Sequence, residues 1–279
     1  MAKYYKKWFW LFVLPLLACF CIFFIAPSGM GFYYSFAKFA TLKKYTLVGW
    51  TNYSKIFTAN SSFWKAFGQS CYFVVVTLVI INVSAYLLAL LLTKGLKGTA
   101  FFRSLFFMPN LVGGIILGNI WQLILNSILL QFNETLLSSF NTGFWGVVLI
   151  TCWQQIGYMM IIYVAAITGV PTDVLESAEV DGASKARTTF QIIIPMTMPS
   201  ITICTFMTLT NGFKLYDQNL ALLGSNSKVQ LLALDIYNTM FSSGSNKGPG
   251  QAEAILFFFI VTFIGLAQLI ATRSKEEQA

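Results

Sequence analysis

The chain has 279 residues, 57% of them hydrophobic and 10% charged, with a mean hydropathy of +0.70. Soluble domains carry about 25% charged residues, so charge this sparse excludes a water-coated globule and places most of the chain in a bilayer. The formal net charge of +8 does not point to nucleic acid, because the Lys and Arg residues lie near the ends of apolar runs, where membrane orientation places them.

Lys3, Lys6 and Lys7 precede a run with no charge from Trp8 to Ala37. It is too long for the core of a signal peptide and reads as a retained first span, over about residues 8–36. A mixed loop follows, from Lys38 to Lys65. The second span covers about residues 68–93, and "KGLKG" makes a short basic turn. A third run, about residues 101–126, is interrupted by "MPNLVGG"; Pro and Gly are tolerated at membrane depth where neighbouring protein satisfies the freed backbone groups. The fourth run covers residues 144–170, the fifth about 198–223 and the sixth about 252–272. Val229–Phe241 has apolar residues at helical spacing and reads as a short helix at the membrane surface.

The expected fold is thus all-α and integral to the membrane, one domain over residues 1–279 with six transmembrane helices. An even number of spans puts both termini on one side. The basic termini and the basic turn between spans two and three make that side the cytoplasm.

There is no histidine, which removes the commonest general base and metal ligand. The five cysteines all sit in apolar runs, where cysteine acts as a small hydrophobe. No phosphate-binding G-x-x-x-x-G-K-[ST] loop occurs. The composition gives no catalytic residues, no metal and no cofactor; ATP, if used, is bound by another chain.

Between the fourth and fifth runs lies a polar segment, residues 171–195, containing "ESAEVDGASKARTTFQIIIP". Pro171 stops the preceding span. Asp173 and Glu176 have the spacing of a capping box, predicting a helix over residues 174–181. Gly182 suits a left-handed helix end, and a second helix follows before Pro195 and Pro199. The segment reads as a helix–turn–helix knob on the cytoplasmic side.

The pattern Glu176-Ser177-Ala178, then Gly182, then Ile192-x-Ile194-Pro195 resembles the EAA loop of the membrane subunits of binding-protein-dependent ABC importers. Ser177 and Ile194 are mild departures from it. "VGWTNYSKIF", "FFRSLFFMPN", "GFKLYDQNLALLG" and "IYNTMF" resemble elements of the carbohydrate-uptake branch, in particular its maltose-type first subunit. The resemblance implies the type I ABC importer (MetI-like) fold and a pore-forming subunit in the cell membrane that translocates a sugar, an oligosaccharide by expectation. It implies as partners a second permease subunit in a heterodimer, two cytoplasmic ABC ATPase subunits and an external sugar-binding protein. It makes Glu176, Ser177, Ala178, Asp181, Gly182, Ala183 and Pro195 the ATPase-coupling residues.

Polar residues inside spans are functional candidates. Sugar recognition needs amides and carboxylates for hydroxyls and an aromatic face for the ring. Gln155 and Tyr158 lie three apart on one helix face, as do Asn211 with Lys214, Phe213 with Tyr216, and Lys214 with Asp217. With the family's pocket in the regions matching spans four and five, the substrate-pathway candidates are Gln155, Tyr158, Asn211, Phe213, Tyr216 and Asp217. Lys214 is the only cation near them, which favours a neutral over a phosphorylated sugar. An ion-coupled secondary carrier is the alternative, although no internal repeat is seen and Asp217 is the only acid deep in a run. A membrane enzyme is disfavoured by the lack of histidine and of a clustered acid pair.

Overall fold

An uncharged run in a bilayer must satisfy its backbone internally, and a helix does so within one segment. The computed structural model describes residues 2–58, 61–95, 97–225, 227–242 and 246–276. There the first run is helical throughout: α1 (Ala2–Phe20), a π turn at Cys21–Ile25 and α2 (Ala26–Ser35). Of this stretch Phe9–Ser35 is long and apolar enough to cross a membrane. Residues up to 63 with 236–259 form one compact unit, and residues 64–235 with 260 onward form a second.

In the first unit, the segment expected as a mixed loop carries two strands and a short helix. Strands β1 (Ala37–Thr41) and β2 (Lys44–Leu47) pair antiparallel, with Ala37 opposite Leu47 and Phe39 opposite Tyr45. Ala37 and Phe39 are buried while Lys38 and Ala40 are exposed, the period-two alternation of a half-covered strand. Helix α3 (Thr51–Ile56) follows. Its Asn52 is buried and donates from Nδ2 to the carbonyls of Ser35 and Ala37, at 2.8 and 2.9 Å. One amide thereby ties α3 to the junction of α2 and β1.

The second unit begins within α4 (Ser62–Leu92), which starts earlier than the apolar run alone suggests. Phe73, Thr77, Ile81, Ala85 and Ala89 are buried, whereas Val75, Val79, Val83, Leu87 and Leu91 are exposed. A helix apolar on its packed and unpacked faces alike is a membrane helix.

The third run is broken where Pro and Gly predict it. Helix α5 (Thr99–Phe107) ends in a 3-10 turn at Met108–Leu111, and α6 (Gly114–Leu129) follows. The stretch of this region that can cross a membrane is Gly114–Phe132, instead of residues 101–126. Among the five candidate spans, helix α7 (Phe140–Thr168) is the most enclosed. A reciprocal cap starts it, with Thr142 N–H donating to Ser139 Oγ (3.1 Å) and Ser139 N–H to Thr142 Oγ1 (3.2 Å).

The polar segment forms α8 (Thr172–Val180) and α9 (Lys185–Thr188), a π turn at Thr189–Ile193, and α10 (Ile194–Met196). Helix α11 (Met198–Phe213) continues at an angle of 69° to the Lys185–Met196 stretch. The fifth span read from the sequence does not run on to residue 223. It breaks at residues 214–216 and resumes as α12 (Asp217–Leu223). Helices α13 (Leu232–Ser242), which overlaps the stretch predicted as a short helix, and α14 (Gly248–Glu276) follow. Among the described residues, five helical stretches are long and apolar enough to span, and six if the bent pair counts as one.

Candidate functional site

Two places in the second unit collect the residues singled out above. The first is the knob. Helix α8 begins at Thr172, two residues before the predicted start, because Pro171 occupies the cap position and brings no side-chain acceptor. The predicted Asp173–Glu176 capping box therefore does not form. Asp173 instead lies in the first turn, where a negative charge complements the helix dipole.

The end of α8 is as the glycine implies. Gly182 has φ +75°. Its N–H donates to the Glu179 carbonyl (3.0 Å), and the Ala183 N–H reaches back to the Ala178 carbonyl (2.9 Å). Those two bonds are the Schellman closure that a left-handed residue permits. Ser184 then caps α9, its Oγ accepting from Arg187 N–H at 3.3 Å.

This local order sorts the knob's side chains. Ala178 is buried on the inner face, and Ala183 and Pro195 are half-buried. Glu176, Ser177, Asp181 and Gly182 are exposed. Asp173, Val174, Ser177, Ala178, Asp181 and Ile192 line an open hollow of about 390 Å³. Val180 stands 88% exposed and Phe190 70%, so a charged surface carries two uncovered apolar side chains. Chemically, the knob offers carboxylates and small residues to an incoming surface and presents its backbone at Gly182 without obstruction, no atom lying within 4 Å of where a Cβ would project.

The second place is the polar set inside α7, α11 and α12. Gln155 is buried, and its Oε1 has no hydrogen-bond partner. Tyr158 is half-buried, its ring 6.5 Å from that of Phe107. Asn211 is exposed at the end of α11. Phe213 is buried and stacks parallel to Phe67, with centroids 6.4 Å apart. Tyr216 and Asp217 are half-buried. The helix breaks between Phe213 and Asp217, so Phe213 with Tyr216 and Lys214 with Asp217 do not share a face of one helix, contrary to the spacing argument. Asp217 opens α12, its Oδ1 accepting from Gln218 N–H at 2.9 Å. The carboxylate of Asp217 fills the space where Gly114 has no side chain.

The structure also brings together residues that the sequence did not group. Gln218 Oε1 accepts from Thr151 Oγ1 (2.8 Å), and Gln218 Nε2 donates to Gln154 Oε1. Gln154 Nε2 continues to the Val112 carbonyl (2.9 Å), in the break between α5 and α6, while Gln122 Nε2 donates to the Leu222 carbonyl (2.9 Å). Lower in the unit, Tyr163 Oη donates to Asn82 Oδ1 (2.7 Å), and Asn82 Nδ2 donates to Thr208 Oγ1 (3.3 Å). The amides of Gln122 and Asn82 within apolar runs were the available signal. Their partners lie 100 and 81 residues away or more, beyond the reach of local spacing.

The comparisons agree with this architecture. Residues 85–276 match the family model described as the binding-protein-dependent transport system inner membrane component. A probable starch degradation products transport system permease protein, AmyD of Thermoanaerobacterium thermosulfurigenes, is 36% identical, covering 99% of this chain and 98% of its own length. The multiple sugar-binding transport system permease protein MsmF of Streptococcus mutans is 28% identical over 97% of each chain. Among solved structures, a chain of a bacterial ABC transporter involved in the import of the acidic polysaccharide alginate superposes with a TM-score of 0.81 at 18% identity, covering 98% of both chains. At that identity it speaks for the fold alone. Family model and full-length relatives together show that this chain belongs to the binding-protein-dependent transport system inner membrane components.

Proposed function

We propose that the chain is the pore-forming subunit of an oligosaccharide importer, with the α8–α9 knob as its contact to a cytoplasmic ATPase. The observation that carries the reading is the knob itself: a helix closed by Gly182 with its acidic residues exposed and its small residues next to the turn, on a member of this family. Glu176, Ser177, Asp181 and Gly182 form the contact surface. Ala178, Ala183 and Pro195 support it from within. The chain binds no nucleotide and holds no catalytic group. ATP is bound by a pair of partner ATPases, an external binding protein delivers the sugar, and a second permease subunit completes the pore. Both termini and the knob face the cytoplasm.

The substrate class follows from the relatives named for starch degradation products and for multiple sugars, and from a pathway whose only cation is Lys214. A neutral oligosaccharide is recognised by the exposed and half-exposed set Tyr158, Asn211, Tyr216 and Asp217. Gln155 supplies an amide from behind, and Phe213 sets the position of the 213–217 bend. Membership of a binding-protein-dependent family weighs against the secondary-carrier alternative, because such a system works through partner proteins.

The test is co-purification of the tagged chain from native membranes in mild detergent, followed by uptake of labelled maltotriose into proteoliposomes holding the recovered assembly. A second permease chain and an ATPase should be recovered, and uptake should need internal ATP. Uptake by the isolated chain driven by an ion gradient would overturn the reading.

A further inference from the structure

The first unit carries a charge pattern unlike the rest of the chain. No Asp or Glu occurs before Glu134, and within residues 236–259 the only acid is Glu253, which is buried. The exposed Lys38, Lys43 and Lys44 of the β1–β2 hairpin thus have no acidic residue on their own hairpin or on α2 or α3. The hairpin starts two residues after the candidate span Phe9–Ser35 ends. Aromatic contacts fold it against that end: Tyr45 lies 5.4 Å from Tyr34 and 5.9 Å from Tyr33, and Phe39 lies 5.0 Å from Tyr34. Lys38 and Thr46 are paired on the face opposite Phe39 and Tyr45. Leu42 at the tip and Leu47 and Trp50 beyond it are exposed. Lysines interleaved with exposed aromatic and aliphatic side chains, placed at a span end, have the composition of the headgroup layer.

A groove lies at the same end of the span. Phe24, Pro27, Phe32, Ile255 and Phe258 line a hollow of about 490 Å³ that is apolar except for Ser28 and Gln251. The Lys247 N–H donates to the Phe39 carbonyl at 2.7 Å, so the start of α14 is tied to the hairpin. An apolar groove and an acid-free lysine cluster at one end of one span have the two-part character of a phospholipid.

We propose that the first unit binds an anionic phospholipid of the surrounding bilayer, an acyl chain lying in the groove and the headgroup phosphate facing Lys38, Lys43 and Lys44. Charge complementarity selects the headgroup, because lysines near an anionic surface gain attraction that a zwitterionic surface does not give.

The experiment is native mass spectrometry of the delipidated full-length protein, titrated separately with phosphatidylglycerol and phosphatidylcholine of identical acyl chains. Wild type should retain phosphatidylglycerol about tenfold or more over phosphatidylcholine. The Lys38→Gln, Lys43→Gln, Lys44→Gln triple variant should hold both equally, and the corresponding Lys→Arg triple should recover the preference, which separates charge from folding. Ala254→Trp, filling the groove, should lower retention of both lipids. Equal retention of the two lipids by wild type, or an unchanged preference in the Gln triple, overturns the proposal. So does a Gln triple that keeps its lipid preference yet loses binding-protein-dependent uptake, because the lysines then serve an acidic protein surface.

Discussion

Gly182 shows what one residue can decide. Its φ of +75° leaves no steric obstacle to a Cβ but a backbone that L-residues rarely adopt. The cost of substitution is therefore conformational, roughly 1–2 kcal/mol for a β-branched residue. Among small changes, Gly182→Asn should keep most transport, because Asn tolerates the left-handed region. Gly182→Val should lose much of it, and Gly182→Asp should abolish it by adding a charge at the contact surface while the protein remains in the membrane. Transport that stays complete in Gly182→Asp, measured alongside membrane abundance, would remove the knob's assigned role. Gln218 offers the opposite lesson. It is buried between α7 and α12 and satisfies Thr151 and Gln154 together. Gln218→Leu leaves both without that partner. Unsatisfied groups cost about 1–3 kcal/mol each in water-soluble proteins, and interhelical bonds in membranes average about 0.6 kcal/mol. A loss of about 1–2 kcal/mol is expected, read as a melting temperature lower by about 2–8 °C in detergent.

At the scale of elements, helices meet where glycine lets them. The α5 carbonyl of Phe106 occupies the place a side chain would take at Gly157 of α7, and Ala221 of α12 lies 2.6 Å from the site a Cβ would take at Gly118 of α6. Small residues permit such approaches, and packing then stabilises the pair. Gly157→Leu must push α5 away from α7, because backbone cannot yield as a flexible side chain does. Its monodisperse yield after gel filtration should fall severalfold, while Gly68→Ala, where nothing lies within 4 Å, should match wild type. The break in the third run was legible, since "MPNLVGG" joins a proline to two glycines. The break at residues 214–216 was not. "KLY" contains no breaker, and only the packing of α12 across α6 and α7 ends the helix there. The hairpin was hidden for a similar reason. Its alternation spans one short strand, and the burial of Ala37 and Phe39 depends on tertiary contacts. The knob was legible because its turn rests on glycine chemistry that is local.

For the whole molecule, the composition already required a membrane, and apolar run lengths required about six crossings. Which face packs and which meets lipid was not readable for α4, where the buried and exposed stripes are both largely aliphatic. Only the structure separates Ile81 and Ala85 from Val83 and Leu87. The proposed function at this scale is that of an assembly, and the prediction belongs to that level. Depleting internal ATP should stop sugar uptake in the reconstituted complex while dissipating ion gradients leaves it intact. Sensitivity to the gradient instead would return the chain to the carrier class.

The 69° bend at Thr197 has the shape of a bell crank. Thr197 is buried, its hydroxyl shared between the Ile193 carbonyl (2.8 Å) and Tyr86 of α4 (2.9 Å). The corner is thereby pinned to a neighbouring helix. At 1.5 Å per residue, the arm from Lys185 to Met196 is about 18 Å long and the arm from Met198 to Phe213 about 24 Å. Were the two arms to turn rigidly on that pin, each ångström of travel at Lys185 would become about 1.3 Å at Phe213. Such a turn would also convert a push at one arm into a tilt of the other, so the end of α11 that carries Asn211 would move furthest.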